Sequence, residues 1–262
     1  MDTKVQIEWS SGDQVMRLIL ADPPGNVLDG ELMGDLQAAL DEAGDRPGLK
    51  LIQFTGAGDN FCFGAAVPEH TREKAPKMLE QFHRLFYTMA DLAVPTAALV
   101  SGQCLGGGLE LALMCNFIFA DQTARLGQPE INLAVFPPVA SVLLPMIVGQ
   151  ARADDVLLCG ASLSAERAES WGLVNAIYPD RAAMETGVET WVQKTILPKS
   201  ASSLRHAVRA ARWNFNKRLK AELPEIERFY LDELMSTPDA NEGIAAFMEK
   251  RRPVWRDNGG QD

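Results

Sequence analysis

The apolar positions along the chain change period several times, and each change predicts an element. VQIEW (residues 5–9) and VMRLIL (residues 15–20) read as two short strands of a hairpin turning at Ser10, Ser11, Gly12 and Asp13. Leu32, Leu36 and Leu40 follow at four-residue spacing, so a helix is expected there, capped by Asp29 and with Gly44 just past its end. LKLIQFTG (49–56) has the continuous apolar run of a buried strand. A long helical pattern over 75–92 leads into a second such strand, TAALVSG (96–102). GGGLELALM then opens a helix, and NFIFAD (116–121) reads as the next strand.

Strands alternating with helices imply a mostly parallel sheet covered by helices, an α/β fold. Beyond residue 199 the pattern is helical only, over 200–213, 221–235 and 239–251. The expected organisation is a core of residues 1–199 carrying the site and a helical C-terminal subdomain of residues 200–262. The closing GGQD reads as a frayed terminus.

Composition narrows the partners. The 262 residues are 47% hydrophobic and 23% charged, with 25 basic against 35 acidic side chains, a net charge of −10. A field of that sign repels nucleic acid and anionic membrane surfaces. The apolar run 139–148 is too short, and broken by Pro145, to cross a bilayer. The first fifteen residues alternate polar and apolar positions and carry early acids, unlike a secretory or transit peptide. Cys62, Cys104, Cys115 and Cys159 fall in no metal-binding or redox spacing, which fits reduced thiols. A soluble, cytoplasmic protein with no metal is expected.

Several chemistries lose support. No Gly–Lys pair exists for a phosphate-binding loop, and neither a G-x-G-x-x-G nor a G-x-S-x-G motif occurs. His70, His83 and His206 lie far apart and form no H-E-x-x-H zinc motif.

GQCLGGGLEL (102–111) is what remains. Glycines between a strand and a helix leave backbone N–H groups uncovered at the positive end of the helix dipole, where an anion is stabilised. Close packing of the helix on its strand also asks for glycine, but three in a row before a carboxylate favour an oxyanion site. Glu110 has a second reading, since acids are favourable in a first helical turn. Glu130, in LGQPEINL twenty residues on, is either its catalytic partner or a turn residue.

The whole run GQCLGGGLELALMCNFIFADQTARLGQPEINL resembles the signature of the crotonase (enoyl-CoA hydratase/isomerase) superfamily. NFCFGAAV (60–67) is similar to that family's other oxyanion loop, and SAERAESWGLVNAIYP (164–179) and FMEKRRPVW (247–255) also fit. The resemblance spans residues 5–255. It implies a ββα spiral core with a helical C-terminal part, an acyl-CoA thioester substrate and no separate cofactor. It also implies an enolate held by the backbone N–H groups of Ala65 and Gly107, flanked by Gly64 and Gly106. Glu110 and Glu130 would hold the water, which makes hydration the expected reaction, without settling which glutamate is acid and which base.

The match departs from the family at FPPVAS (136–141), where a flexible glycine-rich loop is usual. A stiff, bulky wall at Pro138 and Val139 therefore implies an unusual acyl group. FCFGAAVPEH, the 73–96 segment and GQPEINLAVFPPVAS resemble the branch of the family that hydrates cyclohexa-1,5-diene-1-carbonyl-CoA. The alternatives are a short-chain hydratase of linear substrates, an isomerase and a non-catalytic scaffold. Lys250 matches a lysine that contacts CoA from a neighbouring subunit, with Phe247 near it, in a family that forms trimers or dimers of trimers; an amphipathic terminal helix with a solvated basic end is the other reading of both. His70 and Cys62 stand beside an oxyanion residue and either line the pocket or pack.

Overall fold

The computed structural model describes residues 3–256, so the GGQD terminus lies outside the described residues. Strands β1 (Val5–Ser10) and β2 (Val15–Leu20) pair antiparallel, with Val5 opposite Leu20. Ser11, Gly12 and Asp13 all have positive φ, which turns the hairpin within three residues. Asp29 caps helix α1 (Gly30–Gly44), accepting from the Leu32 N–H at 2.9 Å. Gly44 is the last helical residue rather than a left-handed cap, because Asp45 ends the helix with negative φ. Strand β3 (Leu51–Gly56) is buried along its whole length, and α2 (Ala75–Leu92) spans the predicted residues.

Then follow β4 (Thr96–Val100), β5 (Gln103–Leu105), α3 (Gly107–Met114), β6 (Phe117–Asp121) and β7 (Arg125–Gly127). After them come α4 (Pro138–Val148), α5 (Gln150–Cys159), β8 (Ser162–Ser164), α6 (Ala165–Ser170), β9 (Ala176–Tyr178) and α7 (Arg181–Trp191). The main sheet has the order β1-β2-β3-β4-β6-β9 and is parallel from β2 onward. β5, β7 and β8 form a second, small sheet. These strands have three residues each, too few for a period-two pattern to register in the sequence.

FPPVAS is not a free loop. Pro138 takes the first position of α4, where its missing N–H costs nothing and its fixed φ suits the helix.

The C-terminal part is helical as expected, with shifted boundaries. α8 (Ala201–Ala211) stops at Arg212, and α9 (Trp213–Arg228) starts at once. The helical path then widens into a π-turn over Phe229–Glu233, tightens over Leu234–Ser236, and ends in α10 (Pro238–Met248). These helices share the main core: Leu219, Leu223, Tyr230, Met235 and Ile244 are buried in one cluster with Leu109, Leu113 and Leu143. On the other face of the sheet, Met184 and Val188 of α7 pack against Leu51, Leu99 and Phe119.

Candidate active site

Two backbone segments are zipped side by side at the end of β4 and β5. Phe61 N–H donates to Ser101 O at 2.8 Å, Cys62 N–H to Gln103 O at 3.0 Å, and Leu105 N–H to Cys62 O at 2.9 Å. The buried Asn26 amide ties down the same turn by donating to Ala57 O and Asn60 O, both at 2.9 Å. Leu28 brackets the next residues, donating to Gly64 O and accepting from Ala66 N–H. The result places Gly64–Ala65 directly against Gly106–Gly107.

Each glycine of the triplet has its own reason. Gly106 has φ +52, and a Cβ there would overlap Glu130 Oε1. A Cβ on Gly107 would stand 3.2 Å from Ala65 N, so the two predicted donors lie side by side at the cavity they both border. Gly108 serves packing, since a Cβ there would come within 2.6 Å of Cys62 O and 2.7 Å of Cys62 Cβ. Among the described residues, neither the Ala65 nor the Gly107 N–H has a hydrogen-bond acceptor. Gly107 opens α3, where no intrahelical partner is available.

Glu110 lies one turn into α3 and is buried, 3% exposed. Its Oε1 accepts from the Ala140 N–H at 2.8 Å, and the Val139 N–H also supports the carboxylate. These are first-turn N–H groups of α4, which lack helical partners and carry the positive end of its dipole. Burial pushes the Glu110 carboxyl up to about 7, against the pull of those two donors. Glu130 begins the 3-10 turn Glu130–Leu133 and borders the cavity. Burial, then the neighbouring Glu110 charge, push it up to about 8. The buried Gln128 amide lies against both Glu130 oxygens; with its nitrogen turned toward them it donates at 3.0 and 3.2 Å.

The carboxyls and both oxyanion loops border one cavity of about 80 Å³, room for a few waters before any substrate enters. Met78 and Phe82 of α2, Phe136 and Pro138 at the start of α4, and Tyr230 and Ile244 from the C-terminal helices form its apolar walls. The site therefore draws on residues beyond 199.

Among the expected residues, Glu110, Glu130, Ala65, Gly107, Gly64, Gly106 and Pro138 all meet at this cavity. Val139 does not line it. Its side chain is fully buried in the core, and its contribution is the N–H directed at Glu110. Phe247, 56% exposed, and Lys250 lie outside the cavity. His70 lines it, with Nδ1 3.0 Å from Ala66 O; a carbonyl only accepts, so Nδ1 carries the proton, and burial lowers the ring's pKa. Cys62 sits behind the loop, its sulfur accepting from the Gly64 N–H and its thiol pushed up to about 12 by burial.

Sequence reasoning passed over Gln128, although it adjoins Glu130 in the GQPE motif, and Tyr230, whose position in a helical pattern carried no signal.

A cavity with two paired, perturbed carboxyls facing two uncommitted N–H groups suits proton transfer beside a developing oxyanion. Comparison with known proteins agrees. The sequence profile of the enoyl-CoA hydratase/isomerase family matches residues 10–258. The chain is 42% identical to a cyclohexa-1,5-dienecarbonyl-CoA hydratase of Thauera aromatica over 248 residues, 94% of this chain and 95% of that one. It is 35% identical to a probable enoyl-CoA hydratase of Mycobacterium bovis, over 93% and 95% of the two chains. The crystal structure of an enoyl-CoA hydratase from Mycobacterium avium subsp. paratuberculosis superposes with a TM-score of 0.85 at 26% identity, covering 97% of this chain and 99% of that one. The protein whose carboxyl pair and glycine loops converge here belongs to the enoyl-CoA hydratase/isomerase family.

Proposed function

We propose that this protein is a hydro-lyase that adds water to cyclohexa-1,5-diene-1-carbonyl-CoA, giving 6-hydroxycyclohex-1-ene-1-carbonyl-CoA. The observation that carries hydration is the Glu110–Glu130 pair bordering the cavity with the free Ala65 and Gly107 N–H groups. The cyclic acyl group is supported by the 42% identity to the Thauera hydratase and by the rigid Phe136–Pro137–Pro138 wall.

The thioester oxygen sits between the two N–H groups, which strengthen their hold as negative charge accumulates on it. Losing one such donor typically costs about 2.7–4 kcal/mol of transition-state stabilisation. Glu110, whose carboxylate is held by the two backbone donors of α4, takes the proton from water. Glu130, whose neutral form is favoured by burial and by the neighbouring Glu110 charge, keeps its proton and acts as the acid. Near neutrality the pair shares one proton, the state both roles require.

Water oxygen bonds to the β-carbon, and the electron pair of the α,β double bond moves into a dienolate extending over the second ring double bond. Protonation at the far end of that system, across the ring, gives the product. A linear enoyl chain takes its proton at the adjacent α-carbon, so the ring demands a flat cavity that holds both carbons within reach.

The Mycobacterium bovis relative supports a second reading, hydration of linear 2-enoyl-CoA. Incubating the purified protein separately with the cyclic dienoyl-CoA and with crotonyl-CoA, followed by mass measurement of the products, decides between them. Gain of one water on the dienoyl thioester with little turnover of crotonyl-CoA supports the cyclic substrate, and the reverse preference overturns it. A product of unchanged mass points to isomerisation.

Anaerobic benzoyl-CoA degradation is the setting in which such a substrate arises. The same reading takes the protein as cytoplasmic, free of a separate cofactor, and assembled as trimers or dimers of trimers through residues 200–262. Phe247 and Lys250 would then serve CoA in the neighbouring subunit.

A further inference from the structure

We propose that the Tyr230 hydroxyl is a further binding group of this site, donating a hydrogen bond to the oxygen atom that joins or leaves the acyl group. Tyr230 is 1% exposed, borders the cavity, and among the described residues its hydroxyl has no hydrogen-bond partner. A buried hydroxyl left unpaired lowers stability, and phenylalanine would fill the same space without that cost. The chain places the hydroxyl there by a local departure from α-helix, the π-turn Phe229–Glu233, a feature that often marks functional positions. Phe136 fixes the ring by an edge contact at 5.3 Å and 78°, and is itself stacked on Phe229 at 5.5 Å.

The hydroxyl lies near enough to Glu130 and Glu110 for their charges, after burial, to raise its pKa. It therefore remains protonated at neutral pH and acts as a donor, not as an acid.

The inference rests on the hydro-lyase reading and completes its water site. A water held there gives one proton to Glu110, accepts from Tyr230 with one lone pair, and bonds to the β-carbon with the other. Glu130 supplies its own proton to the substrate carbon, so Tyr230 neither gains nor loses one. In the dehydration direction the same O–H supports the departing hydroxide.

The test compares ligands with and without the hydroxyl: 6-hydroxycyclohex-1-ene-1-carbonyl-CoA against cyclohex-1-ene-1-carbonyl-CoA, and 3-hydroxybutyryl-CoA against butyryl-CoA. Dissociation constants are measured by calorimetry with Tyr230→Phe and with Tyr230 retained, both in the Glu130→Gln background to block turnover. Tyr230→Phe is expected to weaken the hydroxylated member of the preferred pair about tenfold, to leave its unhydroxylated partner within about twofold, and to melt no lower than its parent. In otherwise unaltered enzyme, Tyr230→Phe lowers kcat with KM for the unhydroxylated substrate little changed. Equal losses for both members, or no loss for either, overturn the proposal. Absence of turnover by the unaltered enzyme would instead overturn the hydro-lyase reading, while the binding difference would still be measurable.

Discussion

Gly106 has no side chain where Glu130 needs room: a Cβ on Gly106 would come within 2.4 Å of Glu130 Oε1. The carboxyl is thereby held against the backbone that leads into the oxyanion donor at Gly107. With φ +52 and ψ −128, Gly106 also adopts a conformation that side chains resist. Gly106→Ala is expected to displace Glu130 and lower kcat/KM by about a hundredfold or more, with a modest fall in melting temperature. Steady-state kinetics and thermal melting of the same preparation check both halves.

Replacing either glutamate by glutamine keeps shape and removes proton transfer. Glu110→Gln and Glu130→Gln are each expected to cut hydration by about a thousandfold or more, while binding of a saturated acyl-CoA stays within a few-fold. Retained activity in either variant would remove that carboxyl from the chemistry and favour the scaffold reading.

The pH dependence follows from the two raised pKa values. An unfolded chain ionises these carboxyls near 4.5, whereas the folded protein holds them protonated up to about 7 and about 8. Between those limits the native state binds more protons than the unfolded one. The stability that the neutral carboxyls contribute is complete below about 4.5 and is lost as pH rises through 7 and 8. Melting temperature of the ligand-free enzyme should therefore fall between pH 5.5 and 8.5 more steeply than in the double glutamine variant. Activity needs one proton shared by the pair, so kcat/KM should trace a bell whose two limbs are the successive ionisations of Glu110 and Glu130, both raised above the ordinary carboxylate range.

Gln128→Leu removes the amide that lies against both Glu130 oxygens and donates to them when its nitrogen is turned inward. Without those donors the Glu130 carboxylate is less favourable and its pKa rises further. The alkaline limb of the kcat/KM profile is expected to move to higher pH, with kcat about tenfold lower. An unmoved limb would show that Gln128 acts only by packing.

Pro138→Gly keeps the N–H groups of Val139 and Ala140 but loosens the first turn of α4. The ratio of cyclic to linear turnover should fall about tenfold, mostly through loss of cyclic substrate. An unchanged ratio assigns acyl selectivity to another wall.

Much of this was legible in the sequence. The long elements declared themselves by period: the eighteen residues of α2 were bounded correctly, and β2, β3 and β4 stood out by their apolar runs. The glycine triplet and the two glutamates were legible because their motif is contiguous and specific. What stayed hidden depends on contacts between distant segments. Gly108 carries the same letter as Gly106, and only the position of Cys62 marks it as a packing residue. Val139 reads as a wall residue until the direction of the α4 helix is known. Tyr230 stands a hundred residues beyond Glu130 in a stretch whose departure from helical geometry has no compositional mark.

The start of α4 does two jobs with one piece of backbone. Phe136 and Pro138 bound the cavity, and the N–H groups of the two following residues set how readily Glu110 gives up its proton. Reshaping that wall to admit a different acyl group would move the donors as well. Substrate range and base strength therefore cannot drift independently in this protein: each change of diet carries a change of working pH, unless a second substitution elsewhere restores the carboxylate.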